Sequence, residues 1–293
     1  MKKILFLLNP NAGMRKANRV LVDIISTFNQ AGFQVDTYIT SAPGDGIQVA
    51  AQRAKDVDLI VCCGGDGTFN EAVSGVLQSG VKVPLGYIPA GSTNDFARSL
   101  QLSTNIMKAT QQIIDGTDNE YDVGLWGNQH FAYVASFGAF TRASYATPQN
   151  LKNALGHTAY LLEGISELPQ LKPIDIKLEI DGDHIEGKYL FGAVCNSTSV
   201  GGILKLKPTM VDLCDGKFEV LLVRAPNDLA ELNECIWALT KQTYDCKMIT
   251  FRTAQSLRIT TPDPMDWTLD GEKAHQENPI EIHNLHKAIT IRK

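Results

Sequence analysis

Hydrophobic positions divide this chain into two halves with different periods. In the first half, short apolar runs alternate with segments of helical spacing. Ile4 to Leu8 is a continuous apolar run, read as a first strand and ended by Asn9-Pro10-Asn11-Ala12-Gly13. Val20, Leu21, Ile24, Ile25 and Phe28 then mark one face of a helix that Gly32 stops. Phe33, Val35, Tyr38 and Ile39 predict a second strand, Thr40 to Gly46 a loop, and Ile47, Ala50, Ala51 and Ala54 a second helix. The stretch Asp58 to Leu77 organises the rest: a β-rich run to Cys63, the turn Gly64-Gly65-Asp66-Gly67-Thr68, then a helix through Phe69, Ala72, Val73, Val76 and Leu77. Thr68 and Glu71 fit a capping box, which starts that helix at Thr68. Leu85 to Ile88 predicts a fourth strand. After it, Ser92 with Asp95 caps a short helix through Leu100, and Ser103 caps another to about Asp115.

Strands and helices alternating at this spacing imply parallel pairing, right-handed crossovers and helices on both faces of a doubly wound sheet. Ligands of such sheets bind beyond the carboxyl ends of the strands. The loops starting at Asn9, Thr40, Gly64 and Ala90 all emerge at that edge.

From about Glu120 helical spacing becomes rare. Tyr121 to Trp126 and His130 to Ser136 flank a Gly127-Asn128 hairpin turn, and Ile174, Ile176, Leu178 and Ile180 alternate strictly up to Asp181-Gly182. Further short strands are read at Leu190 to Cys195, Phe218 to Val223, Met248 to Thr253, Leu257 to Thr261, Trp267 to Leu269 and Ala288 to Arg292, with helices near Leu151 to Leu168 and Leu229 to Leu239. The expected fold is an α/β doubly wound parallel-sheet domain over residues 1–120, followed by a β-rich, sandwich-like domain over residues 121–293.

Composition narrows the function classes. The chain has 293 residues, 44% hydrophobic and 20% charged, with a net charge of -5, so no basic field points to nucleic acid. No apolar run reaches the ~18 residues of a membrane span. The apolar start stops after five residues, short of a signal peptide's ~7–15. Six cysteines form no C-x-x-C pair, which favours reduced thiols in a cytoplasmic protein. His283 and His286 lie among strand-like residues that do not hold them on one helical face, against a zinc site.

Three glycines at a strand-to-helix turn keep Cβ atoms away from a ligand, and the helix start offers amides to phosphate. No P-loop string occurs, and Gly65-Asp66-Gly67-Thr68-Phe69-Asn70 lacks the third glycine of the dinucleotide fingerprint. Asp66 would repel bare phosphate unless a cation lies between, which suggests a magnesium-bound nucleotide.

Gly64-Gly65-Asp66-Gly67-Thr68 followed by Asn70-Glu71 resembles the nucleotide loop of the diacylglycerol kinase catalytic family. Four other segments match that family in order: Asn9-Pro10-Asn11-Ala12-Gly13, Pro89 to Ala97, Tyr121-Asp122-Val123-Gly124, and Leu269-Asp270-Gly271-Glu272. NAD kinases and phosphofructokinases share a related glycine turn. The resemblance implies an NAD kinase/diacylglycerol kinase-like fold, with the active site in the cleft between two domains. It implies an ATP site lined by Asn9, Thr40, Gly65, Asp66, Gly67, Thr68, Phe69, Asn70, Glu71 and Ser92. It places Asp66 at the metal–phosphate edge, Asp95 and Asp122 in an acidic network around it, and Glu272 as general base. A second loop resembles a magnesium site whose ligands would be Asp215 and the carbonyls of Asp212 and Lys217.

The implied activity is phosphoryl transfer from magnesium-ATP to a lipid hydroxyl, diacylglycerol to phosphatidic acid. The enzyme would be cytoplasmic and peripheral to the membrane, meeting its lipid at the membrane surface, with Tyr145 to Leu168 a candidate for lipid extraction. A soluble-substrate kinase of the NAD kinase type and a non-catalytic nucleotide-binding regulator stay open as alternatives. Oligomeric state stays open too, a homodimer included.

Overall fold

The computed structural model describes residues 1–138, 172–200, 204–274 and 278–293. Their contacts separate them into two compact units, Met1–Val123 with Lys287–Lys293, and Gly124–His286. The helix expected over residues 151–168, and the Tyr145 to Leu168 segment assigned to lipid extraction, lie outside the described residues.

The first unit runs β1 (Lys2–Leu8), α1 (Lys16–Arg19), α2 (Leu21–Gln30), β2 (Phe33–Ile39), α3 (Asp45–Arg53), β3 (Leu59–Gly64), α4 (Asp66–Ser79), β4 (Leu85–Pro89), α5 (Asp95–Ser99), α6 (Ile106–Asp115) and the start of β5 (Asp118–Trp126). Its sheet is parallel in the order β2-β1-β3-β4, and Ile291 near the chain's end adds a further parallel pairing beside Leu85. Both faces are buried. Ile4, Phe6 and Leu8 of β1 pack with Leu59, Val61 and Cys63 of β3 against Ile24 and Phe28 of α2 and Ile113 of α6. Leu5, Leu7, Ile60 and Cys62 point the other way and are equally buried, on the side where α4 packs against β3 and α3. An apolar residue at every position of a central strand, rather than at every second one, is what helices on both faces require.

The second unit is antiparallel. It comprises the end of β5, β6 (Gln129–Phe131), β7 (Val134–Gly138), β8 (Ile174–Ile180), β9 (Asp183–Cys195), β10 (Ser199–Val200), β11 (Leu204–Lys205), β12 (Phe218–Arg224), α7 (Leu229–Lys241), β13 (Ile249–Ala254), β14 (Ser256–Thr260), β15 (Trp267–Leu269), β16 (Glu272–Lys273) and most of β17 (Ile280–Arg292). The long strand β9 is the hub: β8 pairs along its first half, β7 and β12 along its second. β14 links β8 to β17, and β15 links β7 to β16. Alternation in β8 follows the expected period of two, with Ile176, Leu178 and Ile180 buried and Asp175, Lys177 and Glu179 exposed. These residues join Trp126, Phe131, Phe137, Phe218, Leu222 and Trp267 in one core. The turn between β8 and β9 places Asp181 at φ 47° and Gly182 at φ 93°, the left-handed pair of a tight hairpin.

The start of α6 differs from the sequence reading. Asn105, not Ser103, is the cap, accepting from Lys108 N, while Ser103 Oγ accepts from Asn105 N one step earlier.

In the second unit's core, Phe137 lies directly across from Gly192, and a Cβ built on that glycine would meet the Phe137 ring at 2.2 Å and Leu222 at 2.9 Å. Gly192→Ala is expected to lower stability by about 1–3 kcal/mol through overpacking. A urea denaturation midpoint indistinguishable from wild type would show that this contact is not tight.

Candidate active site

Loops at the carboxyl edge of the first unit's sheet converge through main-chain contacts. Asn9 N donates to Cys63 O at 3.0 Å, which ties the end of β1 to the end of β3. Ala90 N and Gly91 N both donate to Gly64 O, at 2.7 and 3.1 Å, which ties β4's loop to the same point. Thr40 N and Oγ1 donate to Leu8 O at 2.9 and 3.3 Å and bring in the loop after β2. Gly65 and Gly91 touch face to face: a Cβ on Gly91 would stand 2.6 Å from Gly65 Cα. The two loops approach this closely because neither has a side chain there.

The helix after β3 begins at Asp66, two residues before the expected Thr68, with Gly65 as a cap that offers no side chain. The Thr68–Glu71 capping box does not form. Thr68 Oγ1 accepts from Asn9 Nδ2 at 3.0 Å, and Glu71 reaches across to Gly44 N at 2.8 Å and Gly46 N at 2.9 Å. Tertiary partners outcompete the local cap because Glu71 satisfies the amides at the start of α3 and so joins a fourth loop to the cluster. Phe69 N opens the helix ladder by donating to Gly65 O at 3.1 Å. The amides of Asp66, Gly67 and Thr68 precede any intrahelical acceptor and form the turn's anion-directed group.

Asp66 itself is turned inward. It is 9% exposed and its carboxylate accepts from Asp95 N at 2.9 Å, Phe96 N at 3.2 Å and the Tyr87 hydroxyl at 3.3 Å. Asp66 therefore supplies the N-terminal cap of α5. The Ser92–Asp95 cap expected from sequence does not form, and the residue before the helix is Asn94 in the left-handed region, φ 52°. Burial, then the neighbouring Asp95 charge, push the Asp66 carboxyl up to about 6, with the three donated hydrogen bonds opposing the shift.

Among the other residues expected at the nucleotide, Asn9, Thr40, Gly65, Gly67, Asn70 and Glu71 are half-buried along this edge and Ser92 is exposed. The Phe69 ring is wholly buried, stacked on Tyr87 at 4.6 Å and near Phe96 at 5.5 Å, so it braces the turn from beneath. Asp95 adjoins Asp66, its amide on the Asp66 carboxylate and its charge raising the Asp66 carboxyl. Asp122, fully buried, accepts from Lys287 N at 2.7 Å.

In the second unit, Glu272 follows the two-residue turn Asp270-Gly271 and is exposed. The expected metal loop is an Asx-type turn: Asp212 Oδ1 accepts from Cys214 N at 3.1 Å and Asp215 Oδ1 from Lys217 N at 2.9 Å. Beside it the carboxyl of Glu219 is almost fully buried, and its Oε2 has no hydrogen-bond partner. Burial foremost, with the charges of Asp215 and Asp212 adding, pushes Glu219 up to about 8. No group of three His, Cys, Asp or Glu side chains gathers to hold a metal among the described residues. A buried carboxyl with one oxygen unpartnered, beside two carboxylates and with oxygen donors only, nevertheless fits a hard cation.

Sequence reasoning missed Tyr87, which reads only as a strand residue yet holds Asp66 from 21 positions away, and missed Glu71's bonds to Gly44 and Gly46. It also missed the partners of Asp270, which lie 136 to 138 residues away.

A parallel sheet with this glycine–aspartate edge is joined in sequence to an antiparallel unit, and both parts match known domains. Residues 3–126 match the diacylglycerol kinase catalytic domain, and residues 134–292 match the YegS C-terminal NAD kinase beta sandwich-like domain. The chain belongs to the diacylglycerol kinase family, a family of lipid kinases. It is 33% identical over 293 residues to a diacylglycerol kinase of Bacillus subtilis (strain 168), covering 99% of this chain and 96% of that one. It is 35% identical over 294 residues to a diacylglycerol kinase of Staphylococcus epidermidis (strain RP62A), covering 99% and 92%. A crystal structure from Bacillus anthracis str. Sterne, provisionally assigned as a diacylglycerol kinase, superposes with a TM-score of 0.84 at 26% identity, covering 99% of this chain and 96% of that one.

The raised Asp66 carboxyl gives a stability prediction with a definite sign. Unfolded, the group ionises near 3.8; folded, near 6. Between those values the unfolded chain releases the proton first, so stability falls as pH rises and levels off above about 6. Relative to Asp66→Asn, the wild type should lose roughly 2–3 kcal/mol across that window. Thermal melts of both proteins from pH 4 to 7 check it; a difference independent of pH would contradict the shift.

Proposed function

We propose that this chain transfers the γ-phosphate of ATP to the free hydroxyl of a lipid, converting diacylglycerol to phosphatidic acid. The observation that carries this is the edge cradle: amides of Asp66, Gly67 and Thr68 at the start of a 14-residue helix, with the side-chain-free Gly65 and Gly91 in contact beside them. Such a cradle suits a polyphosphate tail, and membership of a lipid kinase family supports ATP as the donor and a lipid as the acceptor.

Asn9, Thr40, the segment from Gly65 to Glu71 and Ser92 line the nucleotide site in this reading. Asn9 fixes the Thr68 hydroxyl, and Glu71 holds the start of α3 in place. Glu272 is the general base. The lipid hydroxyl oxygen attacks the γ-phosphorus, the bond from that phosphorus to the β-phosphate bridging oxygen breaks, and ADP leaves. The hydroxyl proton passes to the Glu272 carboxylate. Asp66 braces the phosphate turn from within by capping α5, and its carboxyl, raised to about 6 by burial, is still ionised at neutral pH. A bound magnesium ion supplies charge neutralisation at the phosphates. A second, structural magnesium ion would be held by Asp215 and the carbonyls of Asp212 and Lys217, next to the Glu219 Oε2 that has no hydrogen-bond partner. In this reading the lipid is met at the membrane surface by peripheral association; no helix among the described residues is long and apolar enough to cross a membrane.

Labelled ATP offered with diacylglycerol in mixed micelles, with sphingosine and with NAD tests the acceptor. Transfer to diacylglycerol is expected; transfer to NAD alone, or to none, would overturn the reading. Glu272→Gln should lower kcat by at least about 100-fold while ATP binding is retained. Gly91→Ala should instead weaken ATP binding, because its new Cβ would force the Gly65 backbone aside; unchanged affinity by titration calorimetry would remove the cradle from the mechanism.

A further inference from the structure

We propose that Asp270 positions Glu272, and that it does so by seating its carboxylate on three consecutive main-chain amides. The inference rests on Glu272 as general base and adds the residue that aims it.

The hairpin carrying Glu272 is held on its β15 side by pairing with β7, and its turn needs a hold of its own. β15 and β16 pair through Thr268 with Lys273 and Leu269 with Glu272, and Ala274 N donates to Trp267 O at 3.0 Å, leaving Asp270 and Gly271 as the turn at φ 51° and 87°. A two-stranded ribbon this short does not keep one geometry on its own. Asp270 supplies what is missing. Its Oδ2 accepts from Ala132 N at 2.6 Å, and its Oδ1 accepts from Tyr133 N and Val134 N, each at 3.0 Å. Its own amide donates to Val134 O at 2.8 Å, and the residue is 5% exposed.

The segment that receives the carboxylate is itself fixed. Asn196 N donates to Tyr133 O at 2.8 Å and its side-chain amide to Ala132 O at 3.4 Å, while Ala135 pairs with both Val194 and Leu269. A continuous path therefore runs from the end of β9 through residues 132–135 to Asp270, and one residue beyond its glycine stands Glu272. Two oxygens sharing three donors fix the carboxylate plane in a way one oxygen cannot. Rotation of the turn would break those bonds together.

Asp181-Gly182 provides an internal comparison. It has the same left-handed pair, and the Asp181 carboxylate accepts from Gln255 N and Ser256 N, the latter at 2.8 Å. That aspartate is exposed, and no residue of the proposed machinery follows it. The two sites separate hairpin clamping, which both perform, from aiming a base, which only Asp270 performs.

The test compares Asp270→Asn, Asp270→Glu and Asp181→Asn with wild type in the micellar diacylglycerol assay. Asparagine tolerates the left-handed turn and keeps one acceptor oxygen but turns an NH2 toward the donors; glutamate keeps the charge and displaces it by a methylene. Both changes at position 270 should lower kcat by about 30- to 100-fold with KM for ATP within about twofold. Asp181→Asn should leave both constants unchanged and lower only the melting temperature. Amide hydrogen exchange supplies a readout independent of turnover: residues 132–134 should exchange faster in Asp270→Asn and Asp270→Glu than in wild type. Either of two results overturns the proposal: kcat at position 270 retained, or lost only in proportion to the folded fraction; or exchange at 132–134 unaltered. Loss of kcat in Glu272→Gln with retention in both Asp270 variants would remove the positioning role alone, whereas retention in Glu272→Gln would remove the base assignment beneath it.

Discussion

Close main-chain contact at the carboxyl edge of the first unit's sheet is the constraint on which the candidate site depends. Parallel strands end side by side, so their loops must share one small space. They can do so only where side chains are absent or turned inward. Gly65 and Gly91 meet that demand by having no Cβ, and Asp66 meets it by burying its carboxylate against the amides of Asp95 and Phe96. An ionisable group held inside at such cost is a departure from ordinary stability design, and its raised carboxyl range is the measure of that cost. The outward side of the turn is left with unbonded helix-start amides, which is the half that chemistry can use.

Both units solve the same local problem with the same residue type. A turn or a short helix has amides without acceptors, and an aspartate side chain supplies the oxygen. Asp66 does this for α5, Asp270 for residues 132–134, Asp181 for residues 255–256, and Asp45 for Ser41 and Ala42. Charge-assisted bonds of this kind are stronger than neutral ones. Two of these four aspartates stand within two residues of the proposed chemistry or take part in it. Rigidity there is built from hydrogen bonds to main chain rather than from packing alone.

The sequence made the elements legible because burial imposes a period. The strands at Ile4, Phe33, Leu59 and Leu85, the amphipathic α2, and the alternating β8 all lie where apolar spacing put them. The hairpins at Gly127-Asn128 and Asp181-Gly182 were legible because a left-handed turn restricts residue choice. The local caps were not. Thr68, Ser92 and Ser103 each had the right side chain at the right offset, yet Asn9, Asp66 and Asn105 took those roles or redirected them. A cap read from sequence assumes no better partner arrives from a distance, and at a crowded sheet edge one does.

What the sequence alone determined is the two-part architecture, the edge at which the loops meet, and the glycine–aspartate turn that marks the family, since each follows from near-neighbour spacing. Only the tertiary structure decided that Asp66 faces inward, that Glu71 serves another helix's start, that Ile291 returns to pair beside Leu85, and that Asp270 sits on amides more than 130 positions away. Those contacts join residues with no period in common, and a hydrogen bond between distant segments leaves no spacing for a sequence to display.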